Sequence, residues 1–320
     1  MDKAQERSRP RSKSRLFRWI GTFVSSVLFI WLLSRQDWAR TWESLSSSPG
    51  WLLPLVFLLY FSGVILNTLR WNVLLRAQGI KVPFLELLKI VITGSFASNF
   101  LPSTIGGDTV RVVSLTHFSV TWSVSVASVV VDRLMNVLAM FTILPLSFVV
   151  FGMPSAFVRN VPAFKPPEWV FASVGLAGDR LGKWRSKLAH WLRRLLAIIQ
   201  IWIGQPGVLA LSFIFAWSSS LVVFLAIWAF ARGLGMPLAL YQVMGVMALT
   251  YLLSLLPISI NGYGVREVAV TTLYMQLGAS LEQASTLAVV TRFVLLLEAL
   301  PGALWLSKYV TPEARGEEPV

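Results

Sequence analysis

The sequence predicts an all-α integral membrane protein with about seven to eight transmembrane helices, built as a first helix followed by two internal repeats. Three observations carry this expectation. The 320 residues are 55% apolar and only 13% charged, with 14 Trp, 20 Phe and a mean hydropathy of +0.67. Soluble domains hold roughly 25% charged residues. Apolar runs lie near 17–33, 51–75, 86–101, 119–151, 207–231, 238–257, 263–277 and 284–307, several of them near or above the ~18 residues that suggest a membrane span. The third observation is that a set of short motifs occurs twice, in the same order. The composition excludes a soluble enzyme and a disordered chain.

In chain order, residues 1–16 are a basic tail. Lys3, Arg7, Arg9, Arg11, Lys13, Arg15 and Arg18 face only Asp2 and Glu6 across the first eighteen residues. The apolar run Ile20–Leu33 follows, then Ser34-Arg35-Gln36-Asp37, with no small-residue cleavage site. An uncleaved first helix over 17–33 with a cytoplasmic N-terminus is expected. The membrane domain runs to 308, with repeat one at 51–151, a linker at 152–206 and repeat two at 207–307. Residues 309–320 are a polar tail. Within repeat one, the long run 119–151 fits either one crossing or two crossings around Asp132-Arg133.

The linker holds Arg159, Lys165, Arg180, Lys183, Arg185, Lys187, Arg193 and Arg194 against Glu168 and Asp179. Pro154, Pro162, Pro166 and Pro167 make its first part a loop. Its second part, Leu181–Ile203, reads as an interfacial amphipathic helix or as a plain cytoplasmic connector. Basic residues flanking apolar spans follow the positive-inside rule and attraction to anionic headgroups. No nucleic-acid partner is therefore expected. A multi-pass protein of a prokaryotic cytoplasmic membrane is.

The repeat is seen by self-comparison. Leu101-Pro102-Ser103-Thr104-Ile105-Gly106-Gly107-Asp108-Thr109-Val110-Arg111 matches Leu256-Pro257-Ile258-Ser259-Ile260-Asn261-Gly262-Tyr263-Gly264-Val265-Arg266 at an offset of 155. Arg76–Ile80 matches Arg232–Met236 at 156, and Val130–Leu134 matches Val289–Phe293 at 159. Each half therefore reads as a span, a short apolar segment, a Pro/Gly break, a second short segment and a long span. Irregular backbone at membrane depth survives only inside protein or beside water. Each half is thus expected to contain a re-entrant half-helix pair. With the basic linker cytoplasmic the two repeats are expected to be inverted, as in many secondary transporters, whereas an external linker would make them parallel.

The breaks carry the candidate chemistry. Gly106, Gly107, Asn261 and Gly262 precede helix starts, where free N–H groups and the positive dipole end suit an anion. Glycine there permits positive φ and close backbone approach. Arg111 and Arg266 follow within a turn, and Arg133 and Arg292 lie inside apolar runs. Guanidinium groups grip phosphate bidentately. Asp108, Asp132, Glu267 and Glu298 offer partners to these arginines, with Asp108 and Arg111 spaced i,i+3, so structural ion pairing is the competing explanation. Asn99, just before the break, is a candidate cavity residue. Asn67, Arg70 and Trp71 form a polar patch late in their span. Walker A, G-x-S-x-G and H-E-x-x-H motifs are missing. With no Cys and only His117 and His190, thiolate and His-rich metal centres are excluded; a metal held by carboxylates stays open but unsupported, and no cofactor is expected. The chain is read as a non-enzyme.

The runs R-W-N-V-L-L-R-A-Q-G (70–79), G-S-F-A-S-N-F-L-P-S-T-I-G-G-D-T-V-R (94–111), V-V-D-R-L (130–134) and L-P-I-S-I-N-G-Y-G-V-R-E (256–267) resemble the flippase-like membrane domain of lysylphosphatidylglycerol synthetases. The resemblance covers roughly 15–308. It implies a membrane domain that moves a lipid headgroup between leaflets. Relatives are tied to glycolipid or polyprenyl-linked sugar pathways, which makes a glycosyltransferase or lipid-synthesis partner conceivable. Full synthetases carry an aminoacyl-transfer domain after the membrane region. This chain ends at Val320, so aminoacyl-lipid synthesis is not expected of it. The reading is translocation of a phosphate-containing lipid, with two alternatives: an accessory subunit of a glycosyltransferase or lipid synthase, and a membrane-embedded lipid-phosphate enzyme.

Overall fold

The computed structural model describes residues 46, 49–100, 106–151, 200, 202–254 and 265–310, and the described residues are helical, without strands. The tail 1–16, the first helix 17–33, nearly all of the linker 152–206, the loop residues Asn261 and Gly262, and the tail beyond 310 lie outside them. The helices are α1 (Leu52–Arg76), α2 (Phe84–Phe100), α3 (Gly106–Thr116), α4 (Trp122–Ile143), α5 (Pro145–Phe151), α6 (Pro206–Gly233), α7 (Leu240–Ser254), α8 (Val265–Gln276), α9 (Leu281–Ala299) and α10 (Ala303–Val310), with a 3-10 turn at Leu300–Gly302.

Four helical stretches among the described residues are long and apolar enough to cross a bilayer: Leu52–Arg76, Trp122–Phe151, Pro206–Gly233 and Leu281–Tyr309. At 1.5 Å per residue, α1 is about 37 Å long, beyond the ~30 Å hydrocarbon core. By the same rise α2, α3, α7 and α8 reach only about 25, 16, 22 and 18 Å. The run through Asp132-Arg133 is one continuous helix. It is interrupted later, at Pro145, where Leu144 closes α4 by donating to the Met140 carbonyl at 2.9 Å. Proline there removes a donor and crowds the preceding turn.

The Arg76–Ile80 landmark and its counterpart Arg232–Met236 prove to be helix terminators. Gly79 and Gly235 adopt φ of +75° and +77°. The next N–H folds back in each case, from Ile80 to the Leu75 carbonyl at 3.1 Å and from Met236 to the Ala231 carbonyl at 3.0 Å. This is the Schellman closure, which needs a left-handed residue and so favours glycine. α3 and α8 end in a similar way, with Ser119 (φ 61°) and Gly278 (φ 91°) in the left-handed region.

α1 and α6 form the most extensive helix pair. A Cβ on Gly233 would lie 2.1 Å from Leu52, and one on Gly63 would lie 3.0 Å from Val223. At the other end, Trp202 Nε1 donates to the Leu74 carbonyl at 3.0 Å and Gln205 Nε2 to the Ala77 carbonyl at 3.3 Å. The start of α1 therefore meets the end of α6, and its end meets the chain entering α6. The two helices run antiparallel. Small residues allow this approach where lipid supplies no hydrophobic drive. Around the pair the contacts cross over. α4 and α5 pack on α7, while α9, the 3-10 turn and α10 pack on α2. Gly245 faces the Ser147 backbone, and Gly302 faces the Ile92 carbonyl.

Candidate functional site

The polar residues of α1–α4 converge on one cluster. α2 and α3 form a hairpin held at glycine contacts: a Cβ on Gly107 would sit 2.0 Å from Ser98 Oγ and 2.3 Å from the Gly94 carbonyl oxygen. This revises the expectation for Gly106 and Gly107. Neither has positive φ, and Gly107 makes a close backbone approach to α2.

The hairpin aims Asp108 and Arg111 at α1 and α4. Arg70 Nε donates to Asp132 Oδ1 at 2.7 Å and Arg111 Nη1 to Asp132 Oδ2 at 2.9 Å. Asp132 is 1% exposed. Arg70 also donates to Asn136. Arg133, half-exposed, grips both oxygens of Asp108 through Nε and Nη2 at 2.9–3.3 Å. The i,i+3 pairing of Asp108 with Arg111 does not form. The two acids exchange partners between α3 and α4, because α4 presents Asp132 and Arg133 on adjoining faces.

Arg111 lies flat against Trp71, 4.1 Å from the ring centroid, a cation–π contact. Its Nε is buried with no hydrogen-bond partner among the described residues, as is Asn67 Oδ1. These groups line a cavity of about 240 Å³ together with Ser95, Ser98, Asn99 and Gly107. Asn99 spends one donor on the Ser95 carbonyl at 2.8 Å. Three arginines face two aspartates, so the cavity carries one net positive charge. Asp108 sits in the first turn of α3, where it partly satisfies the helix dipole. The attraction for an anion therefore rests mainly on the guanidinium groups.

The second half is arranged differently. Glu267, fully buried in the first turn of α8, has Arg266 Nη1 at 3.9 Å and Arg292 Nε at 3.7 Å from its Oε1. Arg292 is almost fully buried, unlike its counterpart Arg133. Arg266 lines another cavity, of about 280 Å³, between the halves. Tyr60, Ser219, Ser220, Thr250, Tyr251 and Glu298 contribute its polar lining. Arg111 and Arg266 thus line separate spaces. Asn67 and Asn136 line both, so the two cavities adjoin. Asn136 escaped the sequence reading, although its i+4 spacing from Asp132 places it on the same helix face.

Long apolar helices, short broken helices and buried charge clusters define an all-helical, multi-pass integral membrane protein. Residues 18–302 match the family model described as the lysylphosphatidylglycerol synthase TM region, and the chain belongs to that family. It is 28% identical over 138 residues to a UPF0104 membrane protein of Archaeoglobus fulgidus, covering 43% of this chain and 42% of that protein. It is 31% identical over 139 residues to a UPF0104 membrane protein of Pyrococcus horikoshii, covering 42% and 40%. The matches thus span about two fifths of these relatives' length. No solved structure matches the chain.

Proposed function

We propose that this protein translocates a phosphate-containing lipid across a prokaryotic cytoplasmic membrane, with the headgroup anion held in the arginine-rich cavity. One observation carries the reading: a net-positive cavity inside apolar helices, where the buried Arg111 Nε has no hydrogen-bond partner among the described residues. A buried donor left without a partner costs about 1–3 kcal/mol. A phosphate oxygen relieves that cost and neutralises the excess charge. Arg111 and Arg133 are the first contacts, and Arg266 receives the group in the adjoining cavity across Asn67 and Asn136. Asp108 and Glu267 hold the arginines in place. The acyl or prenyl tails stay in the bilayer.

Two inverted repeats fit this role. The antiparallel α1 and α6, the matching Schellman ends and the crossed packing support that arrangement, and the short α2–α3 and α7–α8 pairs fit re-entrant hairpins. With a cytoplasmic N-terminus and a first crossing at 17–33, α1 ends on the cytoplasmic side, beside the chain leaving the linker.

The test is leaflet-resolved movement of labelled anionic, zwitterionic and polyprenyl-phosphate lipids in proteoliposomes. Wild type redistributes one class without changing its mass. Arg111→Ala and Arg266→Ala abolish the movement while inserting normally. Unchanged movement in both variants sinks the phosphate-site reading.

A further inference from the structure

The acids of the described helical core divide by their partners. Asp132 bonds two guanidinium groups, Asp108 bonds one, and Glu267 lies within 4.0 Å of two. Glu298 on α9 differs. It is 8% exposed, and among the described residues no Lys, Arg or His nitrogen forms an ion pair with it. It faces the cavity between the halves.

The groups around it are few. α1 presents Tyr60, α7 presents Tyr251 and α8 presents Arg266 to the same cavity. α4 and α6 add only the neutral Asn136, Ser219 and Ser220. α2 also packs on α9, but its charged groups lie elsewhere, Glu86 bonding Lys89 and Lys308. On α9 itself, Arg292 is directed to Glu267. Arg266, the cation that lines this cavity, lies 3.9 Å from Glu267.

An ionised carboxylate in such a place is costly unless it is paired, and protonation removes the cost. We propose that Glu298 binds a proton in this conformation and gives it up when the cavity opens to water, so that one proton accompanies the anionic headgroup. The inference rests on the lipid-phosphate reading for its cargo. The coupling is electrostatic. A carboxylate beside the cavity repels an incoming phosphodiester, and a neutral acid does not, so proton and anion bind together. One proton with one phosphodiester carries no net charge. Asp108, Asp132 and Glu267 differ in that each has an arginine nitrogen within 4.0 Å, so the proposal assigns the proton to Glu298.

Infrared difference spectroscopy on the full chain in nanodiscs tests this directly. The probe is the proton, exchanged between acid and alkaline buffers in water and heavy water. Wild type shows the carbonyl stretch of a neutral carboxylic acid at neutral pH, and Glu298→Gln lacks it. Glu298→Asp shifts the band and serves if the glutamine variant fails to fold. Superimposable spectra of wild type and the glutamine variant overturn the proposal.

Proteoliposomes loaded with an anionic phospholipid supply the second readout. A pH gradient speeds lipid movement by wild type and leaves Glu298→Gln unaffected. Movement by wild type that ignores the gradient overturns the coupling but leaves the translocase reading intact. Absence of any movement, with the band still assigned to Glu298, overturns the translocase reading and leaves the proton site standing.

Discussion

Asp132→Ala is the sharpest perturbation of the charged cluster. The carboxylate is 1% exposed and accepts from Arg70 at 2.7 Å and from Arg111 at 2.9 Å. Each contact is worth about 4 kcal/mol at 4 Å with an effective dielectric of 20, before desolvation is counted. Most of that gain is offset by taking both ions from water. The loss on truncation is larger than the net value of the pair, because two guanidinium groups remain buried without their counter-ion. Breaking one buried pair costs about 3–5 kcal/mol, and the polar cavity of about 240 Å³ beside Asp132 is large enough for water, which would hold the cost within that range. Chains somewhat smaller than this one lose about 2–4 °C of Tm per kcal/mol, so a fall of about 6–20 °C is expected. Intrinsic Trp fluorescence on heating in detergent measures it, with 14 Trp as reporters. A double-mutant cycle separates the contact from general damage. Arg70→Ala combined with Asp132→Ala should lose less than the two single losses summed, by at least about 1 kcal/mol. A Tm for Asp132→Ala within about 2 °C of wild type, below the shift expected for 1 kcal/mol, would falsify the two-arginine clamp.

The α2–α3 hairpin and the topology give two more tests. Gly107→Ala forces a methyl group to within 2.3 Å of the Gly94 carbonyl oxygen, and such overpacking costs about 1–3 kcal/mol. Adding Ser98→Ala should not restore stability, because the backbone clash persists, and recovery in the double variant would show that the serine alone sets the contact. The chain has no native cysteine, so single introduced thiols report their side of the membrane without background. Ser12→Cys and Ser186→Cys should label from the cytoplasmic face and Ser48→Cys from the outer face. Labelling of Ser12→Cys and Ser186→Cys from opposite faces would refute the inverted arrangement.

Much of the fold was legible in the sequence because hydropathy and helix punctuation are local. The run 51–75 became α1 at Leu52–Arg76, 207–231 became α6 at Pro206–Gly233, and 263–277 became α8 at Val265–Gln276. Gly79 and Gly235 were visible as matched landmarks, and their φ values explain why glycine stands at both. The bend at Pro145 was carried by a residue in plain view. The run 119–151 read as one crossing or as two around Asp132-Arg133, with no break at Pro145. Those two charges stay within a continuous helix, where their partners lie on α1 and α3.

The candidate cluster was legible in kind but not in wiring. Arg111, Arg133, Asp108 and Asn99 do share a cavity, and Arg266 lies in the adjoining one. The sequence by itself determined the membrane class, the family, the order of long and short helices, and which residue types would be buried as charges. Each follows from properties of a residue and its near neighbours in the chain. Only the tertiary structure decided that Asp108 takes Arg133 while Asp132 takes Arg70 and Arg111, and that Glu298 forms no ion pair among the described residues. Those outcomes depend on how closely helices dock at Gly63, Gly107 and Gly233. In a membrane, packing distance between segments selects the partners of a buried charge, and no spacing along one segment encodes it.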